Sequence, residues 1–266
     1  LRIVSLCPSN TETLAYAGLA SHLVGTDKYS DWPAEVAGLP KLGSDMDIDM
    51  EAVAELKPDL ILASLTVPGM EKNIERLDQK KLPYLLLNPK SLEDIGNNLL
   101  MIGEATNHLR TAETAHTLFH EEIKRYRKLS LQISDNERPT IYWEWWNKPL
   151  YSPGGGNWLT EISELAGGRN IFADHPQSSV KTEWDQVLLK NPDHICLAWV
   201  GIRTELVKPN LVRQRPGALD MKAVRSNHLH IMEEPLYCRP SPRLLQGLNK
   251  LGAMLHPELY PAYNED

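Results

Sequence analysis

Long apolar runs are missing from this 266-residue chain: nowhere do about 20 apolar residues follow one another, as a membrane-spanning helix requires. Also missing is a basic start followed by an apolar stretch and a cleavage site, because Arg2-Ile3-Val4-Ser5-Leu6 already reads as a core strand. Either an export segment was removed before Leu1 or the protein never had one, and the lack of a flexible spacer before the first strand favours the second expectation. Location is thus open between extracytoplasmic and cytoplasmic. Positive charge is in short supply, with 28 Lys and Arg against 35 Asp and Glu and a net charge of −7, which argues against a nucleic-acid partner, since phosphate binding needs a concentrated basic face. Cysteine is scarce too. Cys7, Cys196 and Cys238 are too widely spaced for a C-x-x-C zinc or redox pair, and small buried hydrophobes are expected instead. Neither a Gly-x-Ser-x-Gly elbow nor a His-Glu-x-x-His pair occurs, so a catalyst is not expected.

What is present is ordinary globular composition, 42% hydrophobic and 24% charged, in a chain long enough for one large domain or two smaller ones. Short apolar runs alternate with helical patterns: strands at Arg2 to Leu6, Leu23 to Gly25, Leu60 to Ala63 and Tyr84 to Leu87, helices at Asp49 to Leu56 and Glu71 to Lys80. Ser9-Asn10-Thr11-Glu12 has capping-box spacing and predicts a helix from Asn10 to Gly18. Ser91-Leu92-Glu93-Asp94 resembles another helix start, and about Arg110 to Gln132 runs without Gly or Pro as one long helix. Alternation resumes at Thr140-Ile141-Tyr142-Trp143. Such alternation predicts parallel sheets packed by helices.

The halves echo each other. Thr11-Glu12 to Ala17-Gly18 aligns with Thr160-Glu161 to Ala166-Gly167, and Lys57-Pro58-Asp59 aligns with Lys190-Asn191-Pro192-Asp193, each pair standing before a strand. The expected fold is α/β: two Rossmann-like lobes with mainly parallel sheets joined by a single long backbone helix. The lobes are residues 1–104 and 136–266, the helix 105–135. Ligands of open α/β sheets bind beyond the carboxyl ends of the strands, so a cleft between lobes would be lined by the loops there. Tyr29 and Trp32 fall in such loops, as do Asp45, Met46 and Thr66; in the second lobe so do Trp145, Tyr151, Ser179, Trp199, Tyr237 and Arg239. Alternation puts Trp143 and Trp145 on one strand face and Tyr142, Glu144 and Trp146 on the other, so only part of the aromatic cluster can face a ligand. Several rings together suit a broad flat ligand.

Arg2 to Glu12, Val24-Gly25, Tyr29-Ser30-Asp31-Trp32-Pro33, Leu56 to Ile61 and Ser241-Pro242-Arg243 resemble the cobalamin-binding proteins of ABC importers. Those belong to the helical-backbone metal-receptor superfamily, the class III periplasmic binding proteins, which also bind haem and ferric siderophores. The resemblance spans nearly the whole chain. It implies a corrinoid captured as transported cargo rather than a cofactor, and a monomer that works with an ABC permease and its ATPase. Tyr29 and Tyr151 match aromatics that pack on the corrin from the two lobes. Tryptophans that a family member carries at the positions of Asp45, of Ser64 or Leu65, and of Ser178 or Ser179 are absent, and Trp32, Trp145 and Trp199 are expected to replace their apolar area. Glu51 and Asp185 match the one carboxylate per lobe that docks on permease arginines; each also reads as a helix N-terminal acid.

Other groupings read as structural. Gly154-Gly155-Gly156-Asn157 can aim N–H groups at an anion but fits a flexible turn better. His116, His120 and Glu121 have zinc-like helical spacing yet suit a solvated face, Cys238 between Tyr237 and Arg239 an inert turn, and Glu233-Glu234 a structural acidic pair rather than acid/base catalysts.

Overall fold

The computed structural model describes residues 1–263. They form two compact units, Leu1–Glu121 with Pro240–Pro242, and Glu122–Arg239 with the chain from Arg243 onward. The division falls inside the long helix, and three residues of the C-terminal region return to the first unit.

In the first unit the order is β1 (Ile3–Ser5), α1 (Pro8–Tyr16), β2 (Leu23–Thr26), β3 (Gly43–Ser44), β4 (Asp47–Ile48), α2 (Met50–Glu55), β5 (Leu60–Ser64), α3 (Glu71–Lys80), β6 (Tyr84–Leu87), α4 (Leu92–Ala105) and α5 (Leu109–Ser130). Strands β2-β1-β5-β6 make a parallel sheet, and β3 pairs β4 as a small antiparallel hairpin. Every residue of β1 and β5 is buried, as expected for strands covered by helices on both faces. Val4, Leu6, Ile61 and Ala63 join Leu42, Ile48, Val53 and Leu77 in one core.

The second unit continues with β7 (Thr140–Glu144), β8 (Trp146–Asn147), β9 (Leu150–Pro153), α6 (Trp158–Leu165), β10 (Arg169–Asn170), β11 (Ser179–Thr182), α7 (Trp184–Lys190), β12 (His194–Leu197), α8 (Asn210–Arg213), α9 (Lys222–Arg225), β13 (Leu229–Ile231), α10 (Glu234–Tyr237) and α11 (Leu244–Leu255). Its parallel sheet, β10-β7-β12-β13, repeats the strand order of the first. A three-stranded antiparallel ribbon, β11-β9-β8, is added to it. Among the described residues no helix is long and apolar enough to cross a membrane.

The internal echo is physical. Lys57 and Asn191 both adopt left-handed backbone (φ 47° and 42°), reversing the chain before an aspartate. Asp59 then clasps Arg2: its N–H donates to the Arg2 carbonyl at 2.8 Å while its carboxylate accepts from the Arg2 N–H at 2.7 Å. Asp193 does the same with Thr140, at 3.0 and 2.9 Å. Each clasp fixes where the first strand of its sheet begins beside the third, so register is set at the amino end. Gly18 and Gly167 follow α1 and α6 with φ of 76° and 82°, conformations a β-carbon disfavours.

One helix start differs from expectation. α1 begins at Pro8 with Cys7 as N-cap, not at Asn10 with a Ser9–Glu12 capping box. Proline suits the first helical position because its missing N–H would have no partner there. Glu12 is buried and accepts a hydrogen bond from Ser241 Oγ at 2.5 Å, so its carboxylate serves the packing of the returning 240–242 segment. At Ser91 the capping box does form, with Asp94.

The repeat yields an asymmetric prediction. A β-carbon at Gly18 would meet only Thr111 Cγ2 at 3.6 Å, whereas one at Gly167 would strike the Ile133 and His256 side chains. Gly18→Ala should cost about 1–2 kcal/mol for the left-handed backbone alone, and Gly167→Ala roughly 1–3 kcal/mol more for overpacking. Equal losses in paired urea denaturations would contradict this account.

Candidate functional site

In the first unit the loops beyond the carboxyl ends of the strands are tied into one surface by a buried polar network. Asp27, fully buried after β2, donates its N–H to the Ser5 carbonyl at 3.0 Å. Its carboxylate accepts from the Tyr29 N–H at 2.7 Å and from Ser30 Oγ at 2.5 Å, and Thr11 Oγ1 lies 2.7 Å from Ser30 Oγ and donates to Ser5 Oγ at 2.8 Å. Lys41 Nζ then donates to Thr26 Oγ1, the Ser30 carbonyl and the Val36 carbonyl, at 2.8–3.1 Å. A buried carboxylate needs such saturation to stay ionised away from water. The result is a loop that cannot sag, presenting Tyr29 outward with 48% of its surface exposed and Trp32 half-buried beside it.

The hairpin is bound to the same surface. Lys28 N–H donates to the Gly43 carbonyl at 2.8 Å, and Asn73 on α3 donates to the Asp45 carbonyl at 2.7 Å. Met46 is exposed and lies against Gly69, where a β-carbon would collide with its Cε. Thr66 is half-buried and shares a 2.9 Å hydroxyl contact with Ser64. Tyr29, Trp32, Asp45, Met46 and Thr66 therefore sit on loops that hydrogen bonds and packing draw together.

The second unit has its own buried carboxylate. Glu144, the last residue of β7, has no exposed surface. Arg215 grips it with both terminal nitrogens, at 2.5 and 3.0 Å, while Trp199 Nε1 and the Tyr142 hydroxyl donate to it at 3.2 Å each. The Arg215 guanidinium also lies 4.8 Å from the centre of the Trp184 ring. Neither Glu144 nor Arg215 stands out in the sequence; a lone acid at a strand end is their only signal. Trp145 follows at once, half-buried, its backbone N–H donated to the Tyr151 carbonyl at 2.8 Å and its ring 5.4 Å from that of Trp158. Tyr151 is half-buried on β9, opposite Lys181 of β11, and Ser179 is exposed at the start of β11.

Three expected ligand contacts are corrected. Trp199 is 7% exposed in the apolar core with Tyr142, Phe172 and Val187, held there by its bond to Glu144. Tyr237 has no exposed surface; its hydroxyl donates to the Gly247 carbonyl at 2.9 Å and its ring packs against Trp143. Arg239 is buried with its charge already matched by Glu234 at 2.9 Å. The expectation that Trp199 replaces a missing ligand tryptophan is withdrawn with it.

The glycine run does not await an anion. Gly154, Gly155 and Gly156 donate their N–H groups to the carbonyls of Ser178, His175 and Gln177, and a β-carbon on any of them would strike backbone oxygens of residues 173–177. Close approach of two backbones is why glycine stands there. His120 is not on a solvated face: its ring lies against Gly96 of α4, with His116 4.3 Å away. Glu233 pairs with Lys250 and Glu234 with Arg239, so both acids are committed to ion pairs. All three cysteines are buried, and burial pushes the Cys7 thiol up to about 12, far from a reactive thiolate. Among the described residues no cluster of three His, Cys, Asp or Glu side chains is arranged to hold a metal.

The sequence model of the periplasmic binding proteins matches residues 3–236. The chain belongs to that family. A vitamin B12-binding protein of Pectobacterium carotovorum is 30% identical to this periplasmic binding protein, the match covering 96% of this chain and 88% of the relative. The solved periplasmic vitamin B12-binding protein of Vibrio cholerae has a TM-score of 0.75 and 25% identity, covering 96% of each chain. The haem complex of a Staphylococcus aureus protein has a TM-score of 0.83 at 20% identity, covering 96% of this chain and 98% of that one, a likeness of fold alone. The family consists of binding proteins rather than enzymes, and this chain is a substrate-binding protein of the ABC-transporter type.

The Glu144 network makes a direct prediction. Arg215→Ala strands a buried carboxylate and should destabilise the second unit by roughly 3–5 kcal/mol, with changed tryptophan emission from Trp199 and Trp184. Combining it with Glu144→Gln removes the stranded charge and should recover much of that loss in urea denaturation; a double variant as weak as the single one would contradict the assignment.

Proposed function

We propose that this periplasmic binding protein captures cobalamin or a related corrinoid as transported cargo, outside the cytoplasm, and passes it to an ABC permease and its ATPase. The observation that carries the reading is the pair of accessible tyrosines, Tyr29 and Tyr151, each on a loop or ribbon at the carboxyl end of its own sheet. Tyr29 is held out by the Asp27 network and Tyr151 by the ribbon β11-β9-β8. Both match aromatics that pack on the corrin in the cobalamin-binding proteins this chain resembles, and the Pectobacterium relative bears that ligand in its name.

Trp32 and Trp145 add apolar ring area, and Met46 a polarisable one. Asp45, Thr66 and Ser179 supply polar groups for the amide-bearing edge of a corrinoid. Burying about 300 Å² of apolar ligand surface at about 25 cal/mol per Å² gives roughly 7.5 kcal/mol before association costs, so rigidity of these faces matters as much as their area. The two saturated carboxylates, Asp27 and Glu144, provide that rigidity.

Titrating the purified protein with cyanocobalamin, haem and a ferric siderophore, followed by visible absorbance and heat, should show tight binding of cyanocobalamin. Tyr29→Ala and Tyr151→Ala should each weaken it about fivefold to tenfold, near 1 kcal/mol per stacked ring. Preference for haem or siderophore, or indifference to both substitutions, would overturn the reading.

Glu51 and Asp185 are exposed acids in the first turns of α2 and α7. Glu51 accepts from Lys80 at 2.5 Å, but exposed pairs of this kind add little to stability, leaving the carboxylate open to exchange with a permease arginine. Reversing both charges should abolish stimulation of the transporter while corrinoid binding stays intact; undiminished stimulation would remove the docking role.

A further inference from the structure

Three imidazoles meet where β12 and β13 begin, at the amino end of the second sheet and away from the ligand loops. His194 opens β12; His228 and His230 flank the start of β13. The rings of His194 and His228 lie parallel, 1° apart in plane and 4.3 Å between centroids, and His230 stacks on His194 at 5.3 Å. His194 Nδ1 and His230 Nε2 are 3.0 Å apart, a side-chain hydrogen bond across the two strands. His228 Nδ1 lies 3.1 Å from the Asp193 carbonyl and so carries its proton there.

β13 is the outer strand of its sheet, three residues long, in register with Ile195 to Leu197 alone. A neutral imidazole pair offers one N–H and one lone pair, which makes the His194–His230 bond possible. The first added proton leaves it intact, because an imidazolium still donates to a neutral ring. The second leaves two N–H groups pointed at each other, each ring charged and stacked on its neighbour. Repulsion then acts directly between β12 and β13.

We propose that His194, His228 and His230 form an acid-sensitive latch that holds β13 to β12 near neutral pH and gives way in acid, where the rings of the opened strand take up the protons that the packed cluster refuses. The surrounding charges do not cancel this. Asp193, beside His194, already accepts from Thr140 and lies 3.8 Å from Lys222 of α9. His256, after α11, is occupied by the Gly167 carbonyl and lies 3.8 Å from Glu258. On its open side His230 faces a groove with Arg213, Glu233 and Lys250, the last two paired with each other.

The sign follows from burial. Burial first, then the His228 and His230 rings, hold the His194 pKa down to about 4, and His230 is lowered by burial and by His228. The unfolded chain takes up these protons near the ordinary histidine value of about 6.5, so stability present above it is lost as pH falls toward 4.

Amide exchange measured from about pH 7.5 to about pH 5, corrected for intrinsic rate, tests the latch. Protection of Cys196, Leu197 and Leu229 to Ile231 should fall by up to about tenfold per pH unit below about 6.5, while Ile61 and Leu62 in β5 keep theirs. His230→Gln, which replaces the partly exposed partner, should flatten that dependence, and imidazole NMR on the unaltered protein should find His194 neutral at pH 5. An ordinary His194 titration near 6.5, a loss shared equally by β5, or a His230→Gln protein with unchanged pH dependence would overturn the proposal.

Discussion

A carboxylate withdrawn from water must be matched on every side, and each unit of this protein buries one at the mouth of its parallel sheet. Asp27 and Glu144 have no exposed surface, and the groups that satisfy them are those that shape the neighbouring loops. The Tyr29 backbone is fixed because its N–H belongs to Asp27. Trp199 is fixed because its indole N–H belongs to Glu144. A binding surface built this way is preorganised: its order is set during folding and is not charged against the ligand when it arrives.

The two units share one plan with local departures. Strand order, the aspartate clasp at the first strand and the positive-φ glycine after the first helix recur in both. The departures lie at the carboxyl ends. The first unit inserts a two-strand hairpin there, the second a three-strand ribbon whose β9 carries Tyr151 and whose glycine run lets residues 173–178 lie against it. Shared features thus set register and packing, while the faces beyond the strands differ, as sites grafted on a common scaffold do.

Much of the fold was legible because its signals are local. Leu60-Ile61-Leu62-Ala63 is an apolar run of strand length, Ser91 to Asp94 a true capping box, and Asn191-Pro192-Asp193 a turn whose residues each have a stereochemical reason. Boundaries slipped where a long-range partner claimed a local signal, as Ser241 claims Glu12. Of the expected ligand surface, part lies open and part is buried. Tyr29 and Tyr151 came from family resemblance together with their place after strands. Trp199 and Tyr237 stand equally close to strand ends, yet their polar atoms bond to Glu144 and Gly247, pairings no spacing reveals. For the same reason Arg215 and Lys41 escaped notice: each matters through a side chain 15 or more positions away or through a backbone carbonyl.

The most direct test is a crystal structure of the protein with cyanocobalamin. The account predicts the Tyr29 and Tyr151 rings within about 4 Å of the corrin, Asp27 and Glu144 keeping their hydrogen bonds, and Trp199 and Tyr237 unmoved in the interior. A corrin seated away from both tyrosines, or one reached by Trp199 or Tyr237 turned out of the core, would contradict it.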